Sequence, residues 1–276
     1  MKEHQATLVA DGFVFLEAPR WYDNRLWVSD VFDFKLYTVS EDGTRSVVCN
    51  VPGRPAGIGF LPDKTPIVVS CADKKLMKVL EGVLSVYADL TDVAAGDLND
   101  LVVDDMGRAY VGNFGYDLFG GAPVEATEMH VVEPDGSIRV AASGLEFPNG
   151  AVIKDDGRTL VVAETWSGKL TAYDRAVNGD LSHRRLFADL GGRQPDGICV
   201  DKHGAIWAGC YNTGEFIRVI EGGEITDCVK FEGNAVSCAM GGRNGTTLYC
   251  CVYLGTDEQL QARQPHSAIY KAELAA

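Results

Sequence analysis

The chain has 276 residues, of which 46% are hydrophobic, so it can form either one large domain or two ordinary ones. Its 39 acidic residues outnumber 25 lysines and arginines, and the formal net charge of −14 opposes extended contact with nucleic acid or anionic lipid. The sequence lacks the run of about 18 apolar residues that a membrane-spanning helix needs. We therefore expect a soluble cytoplasmic protein without nucleic-acid or membrane partners, as a monomer or a small homo-oligomer.

A hairpin signature recurs along the chain. Each copy joins a short apolar segment to a strongly β-prone segment through a polar turn. The six copies, in chain order, cover residues 20–28, 59–69, 101–111, 151–162, 198–208 and 238–250. Their turns recur at steps of 40 to 50 residues, a period that is typical of four-stranded propeller blades. Residues 1–276 are therefore predicted to form a single all-β domain, a six-bladed β-propeller with four-stranded antiparallel blades and a central metal site.

The repeat register locates that site. Residues just before the innermost strand of each blade converge on one axial mouth. In chain order these positions carry Glu17, Ala56 with Gly57, Asn99 with Asp100, Asn149, Asp196 and Ser237. Asn-Gly and Asp-Gly pairs are also typical of tight turns, so either pair alone would indicate a turn. Their recurrence in register with a glutamate favours a shared site.

The chemistry of these donors indicates the class of metal. Carboxylate and amide oxygens, without histidine or thiolate, are the ligands of hard cations such as calcium, magnesium or manganese. The five histidines show none of the spacings that are typical of zinc sites. We expect one divalent ion, with calcium as the first choice and magnesium, manganese or zinc as alternatives.

Four motifs make the sequence similar to a known family, that of senescence marker protein 30, gluconolactonase and luciferin-regenerating enzyme. The similarity extends from about residue 7 to residue 271, and it rests on Glu17-Ala18-Pro19-Arg20-Trp21, Asn99-Asp100, Pro148-Asn149-Gly150 and Pro195-Asp196-Gly197. The resemblance implies that Glu17, Asn149 and Asp196 bind the metal. It also implies that Asn99 lies in the same site, as a ligand or a substrate contact, and that typical members open sugar lactones.

The sequence departs from the family pattern at two positions. Asp97 stands where sugar-lactone members carry an arginine, and Ala18 stands where they carry a glycine. The change at position 97 replaces a cationic, multidentate donor with an acceptor of opposite charge. We therefore expect a lactone or ester substrate other than a simple sugar lactone.

The predicted activity is metal-dependent hydrolysis of a lactone. Asp196 is the first candidate for the general base and Asp100 is the second, while Asn99 would orient the carbonyl oxygen. Two alternatives remain open at this point. A non-catalytic propeller can use a metal ion to tie its blades together, and a metal-dependent enzyme of specialised metabolism can carry out different chemistry.

Aromatic residues are predicted to cover the mouth. Phe114, Tyr116 and Phe119 lie in a loop after the third innermost strand, and Trp166 ends the fourth innermost strand. Packing between blades is an equally good interpretation of any one of them. The predicted substrate contacts are Asp97, Phe114, Tyr116, Phe119, Trp166 and Arg20.

Overall fold

A computed structural model describes residues 1–274 and confirms the all-β six-bladed propeller with four-stranded antiparallel blades. Two N-terminal strands, β1 (Lys2–Glu3) and β2 (Thr7–Phe13), precede the first blade and join blades that are formed later in the chain. Every other blade strand follows in chain order, from the axis outwards.

The first three blades are each formed by four consecutive strands. They are β3 (Leu16–Tyr22), β4 (Arg25–Asp30), β5 (Lys35–Val39) and β6 (Arg45–Asn50) in blade 1; β7 (Pro55–Phe60), β8 (Pro66–Ser70), β9 (Lys75–Leu80) and β10 (Val83–Asp89) in blade 2; β11 (Leu98–Val103), β12 (Ala109–Asn113), β13 (Thr127–Val132) and β14 (Ile138–Leu145) in blade 3.

The last three blades follow the same plan, with one helix inserted in the sixth. They contain β15 (Pro148–Lys154), β16 (Thr159–Glu164), β17 (Lys169–Arg175) and β18 (Leu181–Asp189) in blade 4; β19 (Pro195–Val200), β20 (Ile206–Cys210), β21 (Glu215–Val219) and β22 (Ile225–Lys230) in blade 5; β23 (Asn234–Gly241), β24 (Thr247–Tyr253), α1 (Asp257–Gln261) and β25 (Ser267–Glu273) in blade 6.

The N-terminal strands close the ring. β2 pairs antiparallel with β25 and becomes the outermost strand of blade 6, so both ends of the chain contribute to one sheet. β1 pairs in parallel with β22 and adds a short fifth strand to blade 5. The pairing of β2 with β25 fastens the last blade to the N-terminal part of the chain and so closes the ring of blades. No helix within residues 1–274 is long and apolar enough to cross a membrane.

The six innermost strands, β3, β7, β11, β15, β19 and β23, surround the axis, and each contacts the next around the ring. Every one of them shifts register against its hairpin partner within its first residues. Such a bulge bends the strand and turns a side chain out of its regular direction. The bulges therefore occur at one end of the propeller, where the predicted site residues lie.

Two glycines show how closely the innermost strands approach. A Cβ atom on Gly150 would lie 2.5 Å from the backbone nitrogen of Ile198, and one on Gly197 would lie 1.8 Å from Ser237 Oγ. Both distances are shorter than any real contact of this kind, so a larger residue would push neighbouring blades apart. Glycine follows Asn149 and Asp196 because the next strand occupies the space of a side chain.

Closure by β2 gives a stability prediction. Phe13 is 1% exposed and packs edge-on against Tyr37 of blade 1, with ring centroids 5.5 Å apart, whereas Leu8 on the same strand is 52% exposed. Phe13→Ala should lower the free energy of unfolding by about 3–5 kcal/mol, because it opens a cavity between blades. Leu8→Ala should change it by less than about 0.5 kcal/mol. Urea unfolding of both variants measures this difference, and equal losses would contradict the role assigned to β2.

Candidate metal centre

Four predicted donors line a single cavity of about 240 Å³ at the mouth: Glu17, Asn99, Asn149 and Asp196. Each belongs to the first residues of an innermost strand, next to its bulge. Neither Asn149-Gly150 nor Asp196-Gly197 forms a turn, since both pairs lie inside strands and neither glycine has a positive φ. The fold therefore gathers four side chains that are up to 179 residues apart in the chain (17 to 196).

The two amides are held by their nitrogen atoms. Asn149 Nδ2 donates to Thr165 Oγ1 at 3.2 Å, and that hydroxyl donates to the carbonyl oxygen of Pro195 at 2.8 Å. Asn99 Nδ2 donates to the carbonyl oxygen of Pro148 at 3.3 Å. These bonds leave both amide oxygens as the free acceptors, a suitable arrangement for binding a cation.

The carboxylates lie in an unfavourable electrostatic environment. Asp196 is 6% exposed, and its Oδ1 has no hydrogen-bond partner within residues 1–274. Burial raises the pKa of Asp196 to about 8, and the nearby Asp100 carboxylate adds to the rise, while the amide of Asn149 acts in the opposite direction. Burial, together with Asp196 and Asp100, also holds the pKa of Glu17 well above its usual value. A bound cation would offset both effects.

These residues fit a divalent metal by their chemistry. An unpartnered buried carboxylate oxygen costs free energy unless a cation or donor satisfies it. The structure does not show the central metal site itself, and residues 1–274 contain no cluster of three or more histidine, cysteine, aspartate or glutamate side chains able to hold a metal. The donor set is instead two carboxylates and two amide oxygens, a combination that suits a hard cation.

Asp100 and Arg20 lie beside the site without forming its wall. Arg20 Nη2 donates to Asp100 Oδ1 at 2.8 Å and to the carbonyl oxygen of Leu101 at 2.9 Å. The backbone nitrogen of Leu101 donates to the same carboxylate oxygen at 2.7 Å. Neither Asp100 nor Arg20 is among the residues that line the cavity. The Arg20 guanidinium is therefore hydrogen-bonded to oxygens of the protein, and its contact with a substrate stays a prediction.

Aromatic side chains form the outer wall of the cavity. Phe114 stacks on Phe147 at 4.8 Å between ring centroids, and Phe147 contacts Trp166 at 5.1 Å. Trp166 Nε1 donates to the Tyr116 hydroxyl at 2.7 Å, which ties two loops together. Phe114, Phe119 and Trp166 line the cavity, while Tyr116 packs behind them.

The placement of these loops in the blade differs from the sequence-based prediction. The loop with Phe114 follows β12, and Trp166 follows β16, so both follow the second strand of a blade rather than the innermost one. The reason is the hairpin itself, because its second strand returns the chain to the end at which the first strand began. Asn113 fixes the start of the first loop, since its Oδ1 accepts from Gly115 N and Thr127 Oγ1 at 2.9 and 2.8 Å.

Asp97 does not lie free at the mouth. Its carboxylate pairs with the guanidinium of Arg54, and that guanidinium lies under the Phe119 ring at 4.1 Å from the centroid. Arg54 has a positive φ of 70°, which is uncommon for a residue with a side chain. The negative charge expected to face the substrate is therefore balanced within the protein.

Several cavity residues are additional to the sequence-based set: Phe15, Val31, Phe32, Phe147, Gln194, Tyr211 and Leu260. Phe15, Phe147 and Gln194 share one signal, because each immediately precedes an innermost strand. Leu260 comes from α1, a five-residue helix that begins with a capping box at Thr256, and no repeat could indicate it.

Comparison with known proteins identifies the family. A model described as the SMP-30/gluconolactonase/LRE-like region matches residues 15–252. The chain belongs to this family. It is 26% identical to regucalcin of Danio rerio over 190 residues, which cover 67% of this chain and 64% of that protein. It is 32% identical to regucalcin of Xenopus laevis over 182 residues, which cover 63% of this chain and 60% of that protein. The matched region thus spans less than two thirds of these relatives.

Solved structures support the fold. A gluconolactonase from Xanthomonas campestris superposes with a TM-score of 0.80 at 21% identity, covering 97% of this chain and 89% of that one. A protein from Agrobacterium tumefaciens described as a calcium-binding protein, regucalcin, superposes with a TM-score of 0.82 at 18% identity. The superposition covers 100% of this chain and 97% of that one. A luciferin-regenerating enzyme superposes with a TM-score of 0.80 at 18% identity, covering 96% of this chain and 95% of that one. Identities this low establish the shared propeller alone.

The donor set yields a binding prediction. Calcium should raise the melting temperature of the parent protein, and Asp196→Asn or Asn149→Ala should weaken calcium binding at least about tenfold, because the first removes a negative charge and the second removes an amide oxygen from the proposed donor set. Asp155→Asn is the matched control, since Asp155 lies in the exposed turn between β15 and β16. Differential scanning calorimetry with and without calcium measures the effect. An unchanged calcium response in Asp196→Asn would place the site elsewhere.

Proposed function

We propose that the chain is a metal-dependent hydrolase that opens a lactone at the axial cavity. The observation that carries the proposal is the buried, unpartnered Asp196 Oδ1 in a cavity that also presents Glu17 and two free amide oxygens. Membership of the gluconolactonase-like family supports the same class of reaction. Calcium is the proposed ion, which agrees with the printed description of the Agrobacterium tumefaciens protein.

The open cavity favours an enzyme over a structural metal ion. A structural site is closed by protein ligands, whereas a catalytic site keeps positions open for water or substrate. Here the donors line a cavity of about 240 Å³, large enough to place a small ligand beside them. This observation favours hydrolysis over the alternative in which an ion simply ties the blades together.

Asp196 is the proposed general base. When bound, a divalent ion would polarise a carbonyl and lower the pKa of a water molecule. Asp196 would hold the ion through one carboxylate oxygen and accept the proton through the other, while the second hydrogen of Asn99 Nδ2 would donate to the carbonyl oxygen of the substrate. Asp100 is less suited to this task, since its Oδ1 already accepts from Arg20 and from the backbone of Leu101.

The apolar wall supports a weakly hydroxylated substrate. Phe15, Phe32, Phe114, Phe119 and Phe147 line the cavity and cannot pair with sugar hydroxyls. Each polar group left buried without a partner costs about 1–3 kcal/mol. An alkyl or aryl group instead gains about 25 cal/mol for each Å² it buries. We therefore propose an alkyl- or aryl-substituted lactone as the substrate.

Metal removal tests the reaction class. Treatment with a chelator should abolish lactone hydrolysis and lower the melting temperature, and calcium should restore both, because an ion bound by the folded state stabilises it by mass action. Proton release from a panel of γ- and δ-lactones measures activity, and elemental analysis verifies the metal content. Full activity in protein shown to be metal-free would overturn the proposal.

Substrate preference is a separate test. At one saturating metal concentration, kcat/KM for an aryl-substituted lactone should exceed that for glucono-δ-lactone at least about tenfold, since burying roughly 55 Å² of apolar surface contributes about 1.4 kcal/mol. A clear preference for gluconolactone would contradict the proposed substrate and leave the metal mechanism standing.

The Arg54–Asp97 pair offers a matched variant of this test. Asp97→Arg alone would place two guanidinium groups together, so the informative protein is the exchange Arg54→Asp with Asp97→Arg, which retains the ion pair. The exchange restores the arginine that sugar-lactone members carry, and it should shift the kcat/KM ratio towards gluconolactone. An unchanged ratio would show that position 97 does not influence the substrate.

A further inference from the structure

Five blades place a pair of residues at the mouth in the same way. One residue directly precedes the innermost strand, and the residue that follows the second strand donates its backbone N–H to the carbonyl oxygen of the first at 2.9–3.2 Å. In blades 1 to 5 the pairs are Phe15 with Val31, Arg54 with Cys71, Asp97 with Phe114, Phe147 with Thr165, and Gln194 with Tyr211. The side chains at these positions largely decide what a ligand in the axial cavity contacts.

The pair of blade 5 differs from the other four. The charged and hydroxyl groups of the other pairs already have partners, since Arg54 and Asp97 form an ion pair and the Thr165 hydroxyl is hydrogen-bonded. Gln194 and Tyr211 both line the cavity. Neither the Gln194 amide nor the Tyr211 hydroxyl forms a hydrogen bond within residues 1–274. Blade 5 thus offers two polar groups to a ligand.

Backbone contacts fix both residues of this pair. The backbone nitrogen of Gln194 donates to Asn212 Oδ1 at 2.9 Å, and the carbonyl oxygen of Tyr211 accepts from Asn234 Nδ2 at 3.0 Å. Gln194 stands two residues before Asp196, the proposed general base, and both side chains line the cavity. A group attached next to the reacting carbonyl is therefore the part of a substrate that would face Gln194.

The chemistry of the two side chains indicates their partner. A glutamine amide both donates and accepts, and so does a tyrosine hydroxyl. A ligand that displaces water from such groups without replacing its hydrogen bonds loses affinity. An amide in the ligand satisfies both, because its N–H can donate to Gln194 Oε1 and its carbonyl oxygen can accept from the Tyr211 hydroxyl. Phe114, Phe147 and Trp166, from blades 3 and 4, form a separate apolar part of the wall.

We propose that the substrate is a lactone that carries an acylamino group on the carbon next to the ring carbonyl, an inference that rests on the proposed lactonase function. The amide would pair with Gln194 and Tyr211, and the acyl chain would extend over the aromatic wall. In the reaction the water oxygen bonds to the ring carbonyl carbon, the ring C–O bond breaks, and the water proton accepted by Asp196 passes to the ring oxygen. The product is an acylamino hydroxy acid whose amide bond stays intact.

Two matched lactones test this assignment in calcium-loaded protein. γ-Butyrolactone with a hexanoylamino group on the α carbon is compared with γ-butyrolactone that carries a heptyl group there, a chain of the same length without the amide. The ratio of kcat/KM, amide lactone over alkyl lactone, is divided by the same ratio for hydroxide-catalysed hydrolysis, which removes the difference in intrinsic reactivity. This corrected ratio should be at least about ten in the parent protein.

Variants of the polar pair show which side chains are responsible. Gln194→Met removes the donor and the acceptor but retains the length of the side chain, so the corrected ratio should fall at least about fivefold. Tyr211→Phe loses only the hydroxyl and should lower the ratio at least about threefold. In both variants kcat/KM for the heptyl lactone should fall by no more than about twofold, a selectivity that a general structural defect would not give.

Gln5→Met is the matched control, since Gln5 is exposed between β1 and β2, and its corrected ratio should equal that of the parent. A parent ratio no different from one would overturn the inference and leave lactone hydrolysis standing, as would an unchanged ratio in both Gln194→Met and Tyr211→Phe. Hydrolysis of other lactones but of neither matched lactone would also overturn the inference alone. Hydrolysis of no lactone at all would overturn it together with the proposed function.

Discussion

Crowding of the six innermost strands around the axis determines which side chains can reach the mouth. Each strand carries a bulge in its first residues, and at Gly150 and Gly197 the next strand fills the space of a side chain. The residue before each of these glycines is turned towards the cavity as a result. Backbone packing thus sets the positions of Asn149 and Asp196, and the strands that carry these residues make the cavity rigid.

The same packing places carboxylates close together in a buried space, where they repel one another. Two carboxylates and a third nearby, Asp100, share a space from which protein atoms exclude most water, and the pKa of Asp196 rises to about 8. Aromatic rings around the mouth lower the local dielectric further, which strengthens repulsion among the acids and attraction to a cation alike. Arg20 partly balances Asp100, but Asp196 Oδ1 has no partner within residues 1–274. Under the proposed function, a divalent ion would supply the missing charge and, in an open cavity, would assist hydrolysis.

The repeat period was sufficient to predict the propeller, its blade count and the register of Glu17, Asn99, Asn149 and Asp196. Periodicity could not indicate β2 as the closing strand of blade 6, because pairing between the ends of a chain depends on ring closure. It also could not indicate that Arg54 pairs with Asp97, since the two residues come from different blades. The place of Phe147 directly before β15 indicates that it lies near the mouth, but its positive φ of 56° is set by tertiary packing and has no signal in the repeat.

Anomalous diffraction from crystals grown with manganese or calcium tests the central claim most directly. The account predicts one strong peak on the propeller axis, with oxygens of Glu17, Asn149 and Asp196 within about 2.0–2.6 Å of the ion. It also predicts open coordination positions that face the aromatic wall. A peak bound elsewhere, or none at this site under saturating metal, would contradict the assignment of the axial cavity as a metal centre.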